Sequence, residues 1–417
     1  MKFEQYRISD AIKSRLAELG FKRPTDIQFK AIPPILNGDD VLAIAQTGTG
    51  KTAAFVIPVL HLLVESKHYR VGRYQVKCLV MVPTRELAVQ IAEVFHDIGK
   101  NLDVNIVGIF GGVEQEEQIR QLEKGADVLI ATPGRMFDLI NQQKIDLATL
   151  KTLILDEADH MLDLGFLKDI RDVQKHIGHR HQTLFFSATI DAKIKETAYS
   201  IVRNPIRIQI SPEDPVSKNV SHGVAFIEMD DKRFFLERFV RQHEGSKMLV
   251  FVRTKVRAER VAAAMQRVNI ATLTMHGGKE QGDRLTVMDE FKKGQVRILI
   301  TTDVNARGID IPNVDYVINY DLPDEPENYV HRVGRTGRGV QKGKAISFCS
   351  TEEKPVLEEI QEYLGKPIEE LAINKADYQG IVDASEEIPA DTNWRKLIAD
   401  HNKPTEYAGK KRKKKKK

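Results

Sequence analysis

Apolar residues fall along this chain in short, nearly unbroken runs, separated by segments with helical spacing. In the first half the runs occupy residues 41–45, 78–83, 104–110, 127–131, 152–155, 183–186 and 206–210. A run without polar alternation is how a strand covered on both faces reads. Helical patterns lie between them, for example over 86–98 and 114–123. Repeated strand–helix units predict a parallel, doubly wound α/β sheet with right-handed crossovers. Residues 211–219 carry two prolines among mostly polar neighbours and predict a linker. The runs then resume at 223–227, 248–252, 271–275, 296–301, 316–319 and 344–349, which predicts a second parallel-sheet domain. The boundaries that follow are 1–212, a linker at 213–218, a second domain at 219–368 and an extension at 369–417. The extension is more polar, with one helical pattern over 394–401 that includes Trp394, read as an anchor for that helix. Its lysine-rich end cannot bury a core and is expected to be disordered.

Composition narrows the class. The 417 residues are enough for two full cores, and 41% hydrophobic content fits a globular chain. No apolar run approaches the roughly 18 residues of a membrane span. The opening residues, Met1-Lys-Phe-Glu-Gln, lack the apolar centre of a signal peptide, so a cytoplasmic location is expected. The two cysteines, Cys78 and Cys349, each sit inside an apolar run and read as small core residues. The net charge of +4 is unevenly spread: residues 410–417 hold eight of the 63 basic residues, leaving 55 basic against 59 acidic before them. The body is therefore mildly acidic, and the end of the chain is a phosphate-seeking segment.

Candidate chemistry sits at the ends of the runs. The first is followed by Ala45-Gln46-Thr47-Gly48-Thr49-Gly50-Lys51-Thr52. Small residues let such a loop wrap its N–H groups round phosphates, with Lys51 reaching the outer phosphates and Thr52 offering a hydroxyl to Mg²⁺. The run at 152–155 is followed by Asp156-Glu157-Ala158-Asp159. That places a carboxylate for the metal shell (Asp156) beside one that can order or deprotonate a water (Glu157). The ordered pair implies hydrolysis of a nucleoside triphosphate. The second domain has no phosphate loop, but it ends in His331-Arg332-Val-Gly-Arg335-Thr-Gly-Arg338. Three arginines spaced by glycines can direct guanidinium groups at phosphate oxygens across a cleft.

With these motifs in hand, the chain resembles the DEAD-box RNA helicases, and the match runs from Phe3 to about Gly343. Further residues carry it: Gly20-Phe21-Lys-Arg-Pro-Thr-Asp-Ile-Gln28, Pro83-Thr-Arg-Glu-Leu87, Gly111-Gly112, Thr132-Pro-Gly-Arg135, Ser187-Ala-Thr189 and Val250-Phe251. Gln281 with Arg284, and Ala306-Arg-Gly-Ile-Asp310, complete the set. Short loops resemble a compact bacterial, RhlE-like member. The resemblance implies two RecA-like domains that close on ATP, with Mg²⁺, and on single-stranded RNA. It implies that Gln28 reads adenine, that Phe21 packs on the base with support from Phe3, and that Ala45 to Thr52 cradle the phosphates. Asp310 would contact the ribose, and Arg335 and Arg338 the gamma-phosphate.

For RNA the resemblance implies Pro83, Thr84, Arg85, Glu86, Gly112, Thr132 and Arg135 in the first domain. In the second it implies Val252, Arg253, Thr254, Gly277, Thr301 and Thr302. Backbone contacts of this kind are sequence-tolerant, and ribose 2′-hydroxyls would select RNA. Asp159, Ser187, Thr189, Gln281, Arg284 and His331 would couple hydrolysis to strand separation. The activity implied is RNA-stimulated ATP hydrolysis with local unwinding of short duplexes by a monomer. Ribosome assembly, RNA decay and cold adaptation, with their protein partners, are the settings it suggests. An ATP-gated RNA clamp shares every one of these residues and stays open as an alternative. A DNA translocase fits less well. Asp26, where the family usually has proline, departs from the pattern. His61, His68, His96, His176, His179 and His181 lack metal-ligand spacing and read as surface or packing residues.

Overall fold

A computed structural model describes residues 2–46, 48–66, 72–189, 192–210, 216, 219–279, 281–303, 314–337 and 342–372, apart from the side chains of 192, 193, 281 and 285. The expectations for Thr47, Asp310, Arg338, the Gln281 side chain, most of the 213–218 linker, the 394–401 helix and the lysine run fall outside these residues.

Two seven-stranded parallel sheets form the frame. The first comprises β1 (Val41–Ala45), β2 (Val76–Met81), β3 (Ile106–Ile109), β4 (Ala126–Ala131), β5 (Thr152–Leu155), β6 (Gln182–Ser187) and β7 (Ile206–Ile210). Their order is β3-β4-β2-β5-β6-β1-β7. The second comprises β8 (Val220–Phe226), β9 (Met248–Phe251), β10 (Leu273–Met275), β11 (Ile298–Thr301), β12 (Tyr316–Asn319), β13 (Gly343–Cys349) and β14 (Glu369–Glu370). Their order is β10-β11-β9-β12-β13-β8-β14. The central strands β1, β5, β6 and β9 are buried throughout, whereas the edge strand β7 buries only its middle residue. That contrast is why the central strands read as unbroken apolar runs. β14 is a two-residue exposed pairing of glutamates beside β8, and no apolar run announces it.

Alternation along β1 assigns its two faces. Val41, Ala43 and Ala45 join a core with the helices Asp26–Leu36, Lys51–Glu65 and Arg85–Ile98, while Leu42 and Ile44 join one with Pro133–Asn141, Leu167–Ile177 and Ala192–Ile201. The sheet is thus covered on both sides. A third core covers one face of the second sheet, where Leu249, Phe251, Val317 and Ala345 meet Tyr329 and Val333 of helix Pro326–Val333 and Leu357 and Ile360 of helix Lys354–Leu364. Cys78 and Cys349 are buried free thiols within these cores, and burial pushes both thiol pKa values up. No helix among the described residues is long and apolar enough to cross a membrane.

Because every strand pair is parallel, all strand ends of one sheet point the same way. The motif loops follow the carboxyl ends of β1, β2, β3, β4, β5 and β6 in the first sheet, and of β9, β10 and β11 in the second. β1 lies directly beside β6, and β5 on its far side, so the loops after all three become neighbours. This is the edge at which open α/β sheets gather ligands.

Candidate functional site

The loop after β1 turns into helix Lys51–Glu65 through Gly50, which caps it at φ 93°. A side chain there would be strained, and its Cβ would stand 2.6 Å from Gln28 Nε2. The helix N-terminus leaves backbone N–H groups without intrahelical partners, which favours anions. Lys51 is 7% exposed, and its Nζ has no hydrogen-bond partner among the described residues. A buried ammonium without a partner is costly, and a phosphate is the group that would satisfy it.

Gln28 has a double engagement that the sequence also signals. Thr25-x-x-Gln28 is a capping box at the start of helix Asp26–Leu36, and the Thr25 N–H donates to Gln28 Oε1 at 3.0 Å. Gln28 Nε2 donates to the Gly50 carbonyl at 3.1 Å, tying this helix to the phosphate loop. One amide hydrogen and one lone pair remain on Gln28 for a ligand. Asp26 occupies the first turn of the same helix, where a carboxylate complements the helix dipole. Phe21 is half-buried and packs edge-on against Phe3, with centroids 6.1 Å apart.

The carboxylates after β5 differ sharply in environment. Asp156 is 3% exposed, and burial pushes its carboxyl up to about 7 against the opposing pull of Lys51. Glu157 adopts φ 50°, an unusual left-handed conformation for a residue with a side chain. Burial acts to raise its pKa, but the bond and charge of His160, then Arg335 and Lys51, bring it down to about 2. The His160 Nδ1–Glu157 Oε2 separation is 3.4 Å. Asp159 accepts from the Ala188 N–H at 3.0 Å, the Thr189 N–H at 3.1 Å and the Thr189 hydroxyl at 3.2 Å. Its pKa is lowered: burial is outweighed chiefly by His331 and Lys51. Ser187 does not bond to Asp159; its hydroxyl donates to the Thr189 carbonyl at 2.8 Å and shapes the turn that does.

Arg335 and His331 belong to the second sheet's half, so it contributes charge to this cluster. Arg335 is 4% exposed, with Nε donating to the His331 carbonyl at 3.2 Å. The expectation of three arginines facing phosphates needs correction at Arg332. Its guanidinium is buried and bidentate on Asp303 at 2.5 and 2.7 Å, with a third bond of 2.7 Å to the Asp321 carbonyl. A fork held this way braces the loop after β11 and has no reach into the cleft.

Three residues predicted to meet RNA are helix caps. Thr84 accepts from the Leu87 N–H at 3.3 Å, Thr254 from the Arg257 N–H at 3.2 Å, and Thr132 precedes helix Pro133–Asn141. Each therefore stands beside free backbone N–H groups. Pro83 ends the loop before Thr84. Arg85 Nη1 donates to the Gly112 carbonyl at 3.4 Å and stacks over Phe110, and Arg135 donates to the Val113 carbonyl at 2.9 Å and to Gln118 Oε1 at 3.1 Å. Both arginines thus hold the loop after β3. Glu86 is turned away from such a role, since a carboxylate repels phosphates. It pairs instead with Arg284 of the second half at 2.9 Å.

In the second half, Val252 and Thr301 are fully buried, and the Thr301 hydroxyl donates to the Thr302 carbonyl at 3.2 Å. Thr302 is 9% exposed, and Gly277 lies exposed in a turn. Arg253 spends its guanidinium on Asp324 at 3.1 Å and Glu353 at 3.4 Å. The side chains of Val252 and Thr301 are thus committed inward and the exposed Arg253 is held by carboxylates, leaving the backbone of these loops for contact.

A metal has no ready-made cage here: among the described residues no three or more His, Cys, Asp or Glu gather to hold one. Asp156 with the Thr52 hydroxyl fits the way Mg²⁺ is usually bound, by one or two protein oxygens plus substrate phosphates and water.

The architecture is that of tandem RecA-like domains carrying a phosphate loop in the first half and charge from the second. Residues 25–197 match the DEAD/DEAH box helicase model and 231–340 the helicase conserved C-terminal domain. The chain belongs to the DEAD-box helicase family. It is 37% identical over 385 residues to the ATP-dependent RNA helicase RhlB of Shewanella amazonensis, covering 92% of this chain and 87% of that one. It is 36% identical over 379 residues to the ATP-dependent RNA helicase DeaD of Buchnera aphidicola, covering 91% of this chain but 62% of that longer protein. Among solved structures, S. cerevisiae Dbp5 bound to RNA and ADP BeF3 matches with a TM-score of 0.80 at 29% identity, covering 93% and 99% of the two chains. These relatives carry several subgroup names, so they establish the family and not an RhlE-like subgroup.

Proposed function

We propose that the chain is an RNA-dependent ATPase that separates short RNA duplexes locally. The observation that carries this reading is the meeting of Lys51, Asp156 and Glu157 from the first sheet with the charges of Arg335 and His331 from the second. A site assembled from two halves supports hydrolysis that depends on their closing.

In this reading Gln28 uses its spare hydrogen and lone pair on the adenine edge, and Phe21 supports the base. Lys51 and the backbone of the 45–52 loop hold the phosphates. Thr52 and Asp156 hold Mg²⁺, which when bound neutralises phosphate charge. Glu157, its pKa held down by His160, Arg335 and Lys51 against the effect of burial, is placed as a carboxylate to orient the attacking water. Water oxygen bonds to the gamma phosphorus, the bond to the bridging oxygen breaks, and ADP and phosphate leave with the water's proton passing to phosphate or solvent. Arg335 offsets the charge that develops on the gamma oxygens, a contribution of about 10³–10⁵ where such arginines have been removed. Arg338 and Asp310 are assigned by motif alone to the gamma-phosphate and ribose.

The RNA backbone would lie along the N-termini of the helices that follow Thr84, Thr132 and Thr254, with Arg85, Arg135, Gly112, Gly277 and Thr302 beside it. Contacts to phosphate and ribose make binding sequence-tolerant, and the 2′-hydroxyl selects RNA over DNA. Thr189 on Asp159 would relay closure to the strand ends. A cytoplasmic monomer acting in ribosome assembly, RNA decay or cold adaptation fits these features. Displacement of a short RNA duplex tests the proposal. Release that requires hydrolysable ATP supports it, whereas long-lived RNA retention without release would favour the clamp.

A further inference from the structure

A lysine in the first turn of a helix is poorly placed, because the helix dipole there favours negative charge. Lys232 opens helix Lys232–Gln242 and is 0% exposed. Burying a cation is tolerated only when it is paired and hydrogen-bonded. Its Nζ donates to Glu353 Oε2 at 2.5 Å and to the Tyr320 carbonyl at 2.8 Å, and lies 3.9 Å from Asp321 Oδ1.

What these partners hold is the more informative part. Asp321 accepts from the Arg253 backbone N–H at 3.0 Å and pairs with Arg257 at 2.9 Å. Glu353 accepts from the Leu322 N–H at 3.3 Å, from the Ser350 N–H and hydroxyl at 3.0 and 3.1 Å, and from Arg253 Nη2 at 3.4 Å. Lys232 therefore sits beneath three segments at once: the loop after β9, the end of β12 and the turn after β13. The cluster sets Lys232, Arg253 and Arg257 against Asp321, Glu353 and Asp324. Removing Lys232 leaves two nearly buried carboxylates short of positive charge, Glu353 without its shortest bond and Asp321 with Arg257 alone to steady the bond it accepts from the Arg253 N–H. One residue on, Thr254 caps helix Lys255–Arg267.

We propose that Lys232 is a positioning residue for RNA binding: from below, it holds the 252–254 loop and the N-terminus of helix Lys255–Arg267 in the orientation that receives a backbone phosphate. The inference rests on the RNA-binding reading above. Burial lowers the Lys232 pKa, while Lys232 and its neighbouring donors outweigh burial to lower that of Glu353, in keeping with a charged pair.

The test is the RNA-concentration dependence of ATP hydrolysis with a single-stranded oligoribonucleotide. For Lys232→Met the half-saturating RNA concentration rises about tenfold, the worth of one charge-assisted hydrogen bond. The rate at saturating RNA and the KM for ATP stay within about twofold of wild type. A merely structural lysine gives the opposite split, fewer active molecules with unchanged half-saturation, and that result overturns the inference. Lys232→Met with Glu353→Gln neutralises the pair, and such replacements of buried ions are often tolerated. The double variant therefore decides the matter if the single one does not fold. It keeps the tenfold weakening if the inference holds, and wild-type RNA half-saturation in it refutes the inference. A wild-type protein indifferent to RNA strikes the RNA-binding reading itself.

Discussion

The Arg284–Glu86 pair offers a direct handle on closure, since it joins the two halves at 2.9 Å with side chains 17% and 12% exposed. At that separation the gross Coulomb attraction is about 6 kcal/mol for an effective dielectric near 20. Desolvation and screening reduce such pairs strongly, and a partly buried interface pair retains about 1.5 kcal/mol, or roughly tenfold in an equilibrium constant. The pair forms only when the halves meet, so its loss should weaken RNA binding in the presence of a non-hydrolysable ATP analogue far more than in its absence. Fluorescence anisotropy on Arg284→Gln, Glu86→Gln and the double variant, each with and without analogue, gives a complete cycle. Both residues have further partners, which the cycle cancels. We expect each single variant to lose about tenfold in analogue-dependent affinity and the double variant to lose little more. Additive losses, with a coupling below about 0.3 kcal/mol, would show that the pair does not hold the halves together. So would equal weakening without analogue.

Other expectations follow from the same cluster and its surroundings. Lys51→Met should abolish ATP hydrolysis, because the outer phosphates lose the ammonium placed to meet them; a rate within about tenfold of wild type would show that Lys51 does not hold phosphate. Glu353, its folded pKa lowered from 4.5, contributes stability that is complete above that value and lost as pH falls below it. Acid unfolding monitored by circular dichroism should therefore be less steep in Glu353→Gln, and an unchanged pH profile would contradict the buried pairing with Lys232. Deleting residues 410–417 should weaken RNA binding and flatten its salt dependence by about 0.7 in log–log slope for each phosphate that is no longer neutralised, without lowering turnover at saturating RNA. A collapse of turnover would place that segment in the closed state.

Much of the frame was legible because buried parallel strands leave an uninterrupted apolar signature: β1, β5, β7 and β12 span the predicted residues. Strand ends elsewhere moved by one to three residues, most at the start of β8, and polar residues such as Gln182 and Ser187 are buried within β6. The phosphate loop and the carboxylates after β5 were readable because their chemistry is local in sequence. Arg332 was not: its partner Asp303 lies 29 residues away, and nothing in the loop distinguishes an arginine turned inward from one facing a cleft. Lys232 is the extreme case, with its carboxylate partner 121 residues on and every local cue pointing to a solvated surface lysine. The Gln28 capping box is readable from Thr25-x-x-Gln, alongside the base-reading role that the family resemblance implies for the same side chain. Side chains committed across the fold are set by tertiary contacts that no spacing rule carries.

In the proposed mechanism one ATP site is completed by two halves closing on RNA. Steady-state hydrolysis without nucleic acid, with single-stranded RNA and with DNA of the same sequence decides this, with Glu157→Gln as the control. Strong stimulation by RNA, little by DNA and none in the variant is the expected outcome. Equal rates under all three conditions would contradict it.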